Sequence, residues 1–319
     1  MEKGQKFEEA LENAATSVAD FDTDEKSFVS RFHHALHTTP ALVPLIVLVA
    51  AIVVFGLTLG SKFFSPFALT LILQQVQIVG IVAAAQSIVI LTAGIDLSVG
   101  AIAVITSVFM GQFTFRYGIP VELSVLMGLT AGTAIGALNG WLVAVMRLPP
   151  FIVTLGMWQI VLAANFLYSA NETIRSQDIA EQAAFLQFMG SKFKIGGAVF
   201  TYGVVFMVIL VFVLAYALRA TAWGRHVYAV GDDPEAAELS GVNVKRTLIT
   251  VYATAGLICG FAGWALIGRI GSVSPTSGQL LNIESITAVV IGGISLFGGR
   301  GSIVGTFFGA LIVGVFTLG

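Results

Sequence analysis

Residues 67–92 read FALTLILQQVQIVGIVAAAQSIVILT, 26 residues without one charge. That stretch decides the fold. An α-helix needs about 20 predominantly apolar residues to cross the hydrocarbon core of a bilayer. Working outward, the chain offers eight more apolar runs: 41–59 before it, then 98–116, 121–146, 151–169, 199–219, 247–268, 283–297 and 303–319. The expected fold is therefore all-α, a polytopic transmembrane bundle with nine spans. The runs at 67–92 and 121–146 are long enough to tilt. The run at 283–297 is short, so its ends must be buried in protein or line a wet cavity. Composition agrees: 56% of residues are hydrophobic and 11% charged, against about 25% charged in soluble domains. Mean hydropathy is +0.92.

Charge is concentrated at the start. Residues 1–40 hold eight of the 18 acids and lack the short apolar core of a secretory signal. They read as a solvated cytoplasmic tail ahead of a membrane domain over 41–319. With the N-terminus inside, the inner side collects Lys3, Lys6, Lys26, Arg31, Arg147, Arg219, Arg225, Lys245, Arg246 and Arg300. The outer side collects Lys62, Arg116, Arg175, Lys192, Lys194 and Arg269. The excess on the inner side follows the positive-inside rule. It places loop 220–246 in the cytoplasm and 170–198 outside. An odd span count leaves the C-terminus outside. The run ending at Gly319 has no charged flank, so either the last helix stops abruptly or the chain is shorter than its parent architecture. The single cysteine, Cys259, has no intrachain partner, and a net charge of −2 points to no nucleic-acid partner.

No catalytic constellation is visible. Gly190-Ser191-Lys192 lacks the spacing of a phosphate-cradling loop. His33, His34, His37 and His226 lie outside every span, and no ligand cluster has metal spacing. Any ATP chemistry belongs on another polypeptide, so no cofactor is expected in this chain.

The polar residues inside spans are the candidates for a pathway, because a polar side chain facing lipid is costly. They are Gln74, Gln75, Gln86, Asp96, Ser98, Asn139, Asn165 and Glu284. Gln75 and Gln86 are eleven residues apart, close to three helical turns, and share a face. Amides donate and accept, which suits hydroxyl-rich cargo; bonding between packed spans is the other reading. Asp96 follows the helix-breaking Gly94 and reads first as a cap for the next helix, with a proton relay as the alternative. Glu284 is a pathway candidate or an interfacial acid.

Glycines at four-residue steps mark two helices: Gly128, Gly132, Gly136 and Gly140 in one, Gly301, Gly305 and Gly309 in the other. Such ridges let backbones approach closely, either as packing within the subunit or at a moving interface. A faint internal echo links Gly94-Ile95-Asp96-Leu97-Ser98, running on to Ile102, with Gly293-Ile294-Ser295-Leu296-Phe297, running on to Ile303. Transporters often carry such repeats.

The inner loop contains its own helix. Asp233 is a good N-cap and Pro234 suits the first helical position. Glu235 complements the helix N-terminus, Ala236, Ala237 and Leu239 follow, and Gly241 is a natural stop. So short a helix wants a docking partner; an ordinary connector is the other reading. Asp232, Asp233, Pro234, Glu235, Ala236, Ala237 and Leu239 are the coupling candidates.

These residues carry a resemblance. Leu91–Gly100 (LTAGIDLSVG), Leu148–Gly156 (LPPFIVTLG), Gly231–Ala237 (GDDPEAA) and Ala288–Gly293 leading to Gly298–Ser302 (GGRGS) resemble, in order, the permease subunits of bacterial ATP-binding-cassette importers for monosaccharides of the ribose, xylose, galactose and fructose type. The resemblance implies a homodimer of permeases in the inner membrane, about ten spans each with both termini inside. It also implies two cytoplasmic ATPase domains that bind ATP and magnesium, and a periplasmic sugar-binding protein. The expected nine spans depart from that pattern. Permeases for branched-chain amino acids or autoinducers, and an ion-coupled secondary transporter, are the alternatives.

Overall fold

Ser65 and Pro66 set where the uncharged stretch begins as a helix. The Ser65 hydroxyl accepts from the Ala68 N–H at 3.2 Å. Pro66 occupies a first-turn position that needs no N–H donor. The computed structural model describes residues 41–318. In chain order these form α1 (Leu42–Leu59), α2 (Pro66–Ile90), α3 (Val99–Phe115), α4 (Val121–Ala144), α5 (Pro150–Ser169) and α6 (Ser176–Gln182). A 3-10 turn (Ala184–Gly190) and a hairpin, β1 (Lys192–Ile195) with β2 (Ala198–Thr201), follow. Then come α7 (Tyr202–Ala220), α8 (Ala222–Asp232), α9 (Pro234–Leu239), α10 (Val244–Ile270), α11 (Leu281–Ile291) and α12 (Ile303–Leu318). The tail assigned to residues 1–40 lies outside the described residues.

The fold is an all-α polytopic bundle. Every expected span holds an apolar helix, but only α1, α2, α4, α5, α7 and α10 are long and apolar enough to cross a membrane. The other three, α3, α11 and α12, are shorter, so helix length does not establish the count of nine. At 11 residues α11 is about 16 Å long, roughly half the hydrocarbon thickness. Outward faces are apolar: Leu57 on α1, Ile160 and Leu167 on α5, and Phe212 on α7 are exposed. In water such faces would aggregate, whereas lipid leaves them at no cost.

The glycine ridge of α4 is packing within the subunit. A side chain at Gly132 would meet the Gly256 carbonyl at 2.7 Å, and one at Gly136 would meet the Tyr252 carbonyl and the Gly256 backbone. Gly140 faces Ile249 of the same helix, α10, while Gly128 faces Met110 of α3. The second ridge is shorter than expected. Gly305 and Gly309 seat α12 on Gly292 and Ala288. Gly301, however, precedes the helix and has φ 127°, so it belongs to the turn that enters α12.

Two regions were not foreseen. Segment 170–201, expected as a loop and the start of a span, folds as α6, the 3-10 turn and the hairpin, with Lys192 opposite Thr201. It is tied to the far end of α10 by Gln187 Nε2 donating to the Gly271 carbonyl at 2.7 Å and by the paired backbones of Ile174 and Val273. The run expected from 199 becomes helical only at Tyr202, where Thr201 caps α7. The second region is α8, which precedes the expected short helix.

Candidate functional site

α10 spans 27 residues, about 40 Å, and carries a group of candidate residues at each end. At its start lies the α8–α9 pair. The Thr221 hydroxyl accepts from Gly224 N–H at 3.2 Å and opens α8. Asp233 Oδ1 accepts from Glu235 N–H at 2.9 Å and Ala236 N–H at 3.0 Å, opening α9 at Pro234 as the sequence indicated. Gly241, at φ 86°, closes it, and Asn243 Oδ1 caps α10 by accepting from Arg246 N–H at 2.9 Å. The backbone ends of α9 are thus satisfied internally.

What α9 leaves open is one large apolar side chain among acidic ones. Leu239 is 90% exposed. Asp233, Pro234, Glu235, Ala236 and Glu238 are also exposed. Ala237 is turned into the protein at 5% exposure, so a contact from outside falls to Leu239 and the exposed residues beside it. Asp232 packs its backbone against the position of a side chain at Gly299, 2.8 Å away.

α8 connects α9 to the rest of the bundle. Trp223 Nε1 donates to Thr250 Oγ1 of α10 at 3.0 Å. The Tyr228 hydroxyl donates to the Gly301 carbonyl at 3.0 Å, and burial pushes that phenol above its ordinary value. The chain just ahead of the first echo segment meets the turn of the second at this point. Gly299 N–H donates to the Leu91 carbonyl at 3.0 Å, and a side chain at Gly298 would meet both Gly231 and Ala93. Each echo segment interrupts a helix pair, α2 to α3 and α11 to α12, and α8 is wedged against both interruptions.

The expected pathway residues separate into distinct groups. Gln86, Asp96, Ser98 and Asn139 form one buried knot. Asp96 Oδ1 accepts from Ser98 N–H at 2.7 Å and Ser98 Oγ at 2.6 Å. Asn139 Nδ2 donates to Ser98 Oγ at 2.9 Å. Gln86, with its amide turned to satisfy both groups, donates to the Asp96 carbonyl at 2.9 Å and accepts from its N–H at 3.3 Å. Asp96 therefore shapes the entry to α3, two residues ahead of the cap position held by Ser98. Asn165 ties α5 to the loop before α11, donating to the Pro275 carbonyl at 2.8 Å. Gln74 is half-buried on α2.

Gln75 and Glu284 go elsewhere, to an open cavity of about 400 Å³ at the far end of α10. Arg269, which the sequence placed only in the topology count, joins them: its guanidinium donates to Gln75 Oε1. Gln279 and Thr276 add polar groups, and Ile78, Val79, Leu266 and Leu281 are among the apolar lining residues. Gln75 and Gln86 share a helix face, yet one lines this cavity and the other serves the knot. Arg269 sits one residue before the end of α10, where a cation reads as a helix-end charge; nothing in the linear pattern pairs it with Gln75.

The family described as branched-chain amino acid transport system / permease component matches residues 68–319. This chain belongs to that permease family. Among curated proteins, the permease is 70% identical to the fructose import permease protein of Rhizobium meliloti over 99% of this chain and 88% of that protein. It is 36% identical to the ribose import permease protein of Escherichia coli K12, over 86% and 83%. It is 29% identical to the xylose transport system permease protein of Haemophilus influenzae, over 84% and 86%. The resemblance read from the four ordered motifs holds. No solved structure matches the chain.

Proposed function

We propose that this permease forms the membrane path of an ATP-driven importer for a monosaccharide, with fructose as the first candidate cargo. The observation that carries the reading is the 70% identity to a fructose import permease across nearly the whole chain. The cavity residues fit it: amides, a guanidinium and a carboxylate supply both donors and acceptors to a polyhydroxyl solute. ATP and magnesium belong on a separate cytoplasmic subunit that receives α9. A second permease copy and a periplasmic sugar-binding protein complete the assembly in the inner membrane. The N-terminus and the α8–α9 end face the cytoplasm, and the hairpin end faces the periplasm.

Uptake of radiolabelled D-fructose by cells lacking their own fructose import tests the cargo. Uptake is expected only when permease, ATPase and binding protein are all supplied. Equal uptake without the ATPase would favour an ion-coupled carrier. The family's description favours a second reading, an amino-acid importer; competition by leucine but not by ribose would support that instead. Orientation is checked with Ser240→Cys and Ser176→Cys, both exposed positions, in a Cys259→Ala background. An impermeant thiol reagent on intact cells is expected to label position 176 and to spare position 240.

A further inference from the structure

We propose that Arg269, Glu284 and Gln75, converging from α10, α11 and α2 on one open cavity, form a subsite that holds the sugar inside the permease. The inference rests on the monosaccharide reading above and adds the place and the chemistry.

Depth is the first argument. The cavity opens at the hairpin end, where Val199 N–H donates to Thr70 near the start of α2. Gln75 lies nine residues beyond Pro66, about 14 Å along the helix. Ile78 and Val79, also in the lining, lie about 18–20 Å along a helix of about 37 Å. The cavity therefore reaches the midpoint of α2 and stops on an apolar floor. Beyond that floor the path is shut by buried side chains, among them the Gln86–Asp96 knot.

Charge placement is the second. Polar and ionisable groups that converge between helices mark candidate pathways. An arginine near a helix end ordinarily extends to water. Arg269 keeps an exposed surface, and its guanidinium also donates to Gln75 of a neighbouring helix. Glu284 is half-buried and lines the same cavity as Arg269. It makes no side-chain hydrogen bond to it, so a carboxylate acceptor remains available beside a guanidinium donor.

The third argument is size and match. About 400 Å³ falls within the ~300–1,000 Å³ typical of small-molecule sites. Sugar hydroxyls both donate and accept, so they pair with a donor-only guanidinium, an acceptor-only carboxylate and amides together. Three helices contribute one group each. One of them, α10, begins directly after α9. A push on α9 would shift Arg269 relative to Glu284 and Gln75 and take the subsite apart, which is what release toward the other side requires.

The test uses the complete importer, permease with its ATPase and binding protein, in proteoliposomes. Radiolabelled D-fructose delivered and ATP hydrolysed are measured together for the unmodified chain, Glu284→Gln and Arg269→Gln. Sugar delivered per ATP is expected to fall about tenfold in each variant, with ATP hydrolysis stimulated by the loaded binding protein kept within about twofold. Arg269→Lys is expected to recover part of the yield, since it keeps the charge and loses the fork. Unchanged sugar per ATP in both Gln variants would overturn the subsite. So would a parallel fall of stimulation, uptake and melting temperature, which is the signature of a structural role. An unmodified importer that delivers none of fructose, ribose, xylose or galactose would overturn the monosaccharide reading and the subsite with it. Sugar delivered at full yield by the variants would remove the subsite alone.

Discussion

The two ends of α10 are built on opposite plans. At the α8–α9 end every helix start is capped by its own sequence, through Thr221, Asp233 and Asn243, while an apolar side chain, Leu239, stands in the open. At the hairpin end the chain folds back over itself and leaves a polar cavity between helices. The first end has its backbone satisfied and one large apolar side chain exposed among acids, which is what the proposed docking to an ATPase would use. The second has polar side chains lining an open cavity, which is what the proposed sugar subsite would use. Between them α10 is locked to α4 by glycines too close for any side chain, so the two ends are joined by a stiff member.

The harshest way to break that comparison is to part the stiff member. Gly136→Leu drives a side chain into the Tyr252 carbonyl and the Gly256 backbone. A loss of about 3 kcal/mol or more is expected, because an overpacked backbone seam cannot relax locally. Yield in detergent and melting temperature should both collapse; normal values would place that face toward lipid.

Ala237→Arg comes next and separates folding from docking. Ala237 is buried against its own chain, so the charge has no room and no partner. A destabilisation of about 2–4 kcal/mol is expected, read as a lower melting temperature of the permease without any ATPase present. An unchanged melting temperature would show that α9 swings free of the bundle.

Leu239→Asp sharpens the contrast. At 90% exposure its effect on permease stability should stay within about 0.5 kcal/mol. ATPase retained on affinity-purified permease is nevertheless expected to fall about tenfold, about 1.4 kcal/mol. Full retention would make α9 a connector and move the contact elsewhere on that face, for example to Phe297, also 90% exposed.

The smallest effect belongs to Asp233→Ala. It removes two acceptor contacts at the start of α9 and should cost about 1 kcal/mol. Faster amide exchange confined to Glu235 and Ala236 is the expected readout. Exchange spreading into α8 would show that the two helices melt as one unit.

The sequence by itself determined the apolar helices, the glycine seam and the capped helix at Asp233, because each rests on local physics. A charge-free run of helical length, a four-residue glycine step and an Asp-Pro helix start each carry their meaning within one or two turns of chain. It also carried the family, through four motifs in order. What it left undecided was which polar residues meet. Gln75 and Gln86 look alike on one helix face, yet one borders a cavity with Arg269 and the other holds the Asp96 backbone. Arg269 lies 194 positions from Gln75, and no local pattern encodes a pairing at that separation. The echo segments were visible in the chain, but the contact of Gly298 and Gly299 with Leu91 and Ala93, and the wedge of α8 against both, were not. The amphipathic helix α8 itself was hidden by its place between stronger signals. Tertiary structure decided these points because a buried polar group takes whichever partner the packed helices bring to it, and that choice is set by helix position rather than by the neighbouring residues.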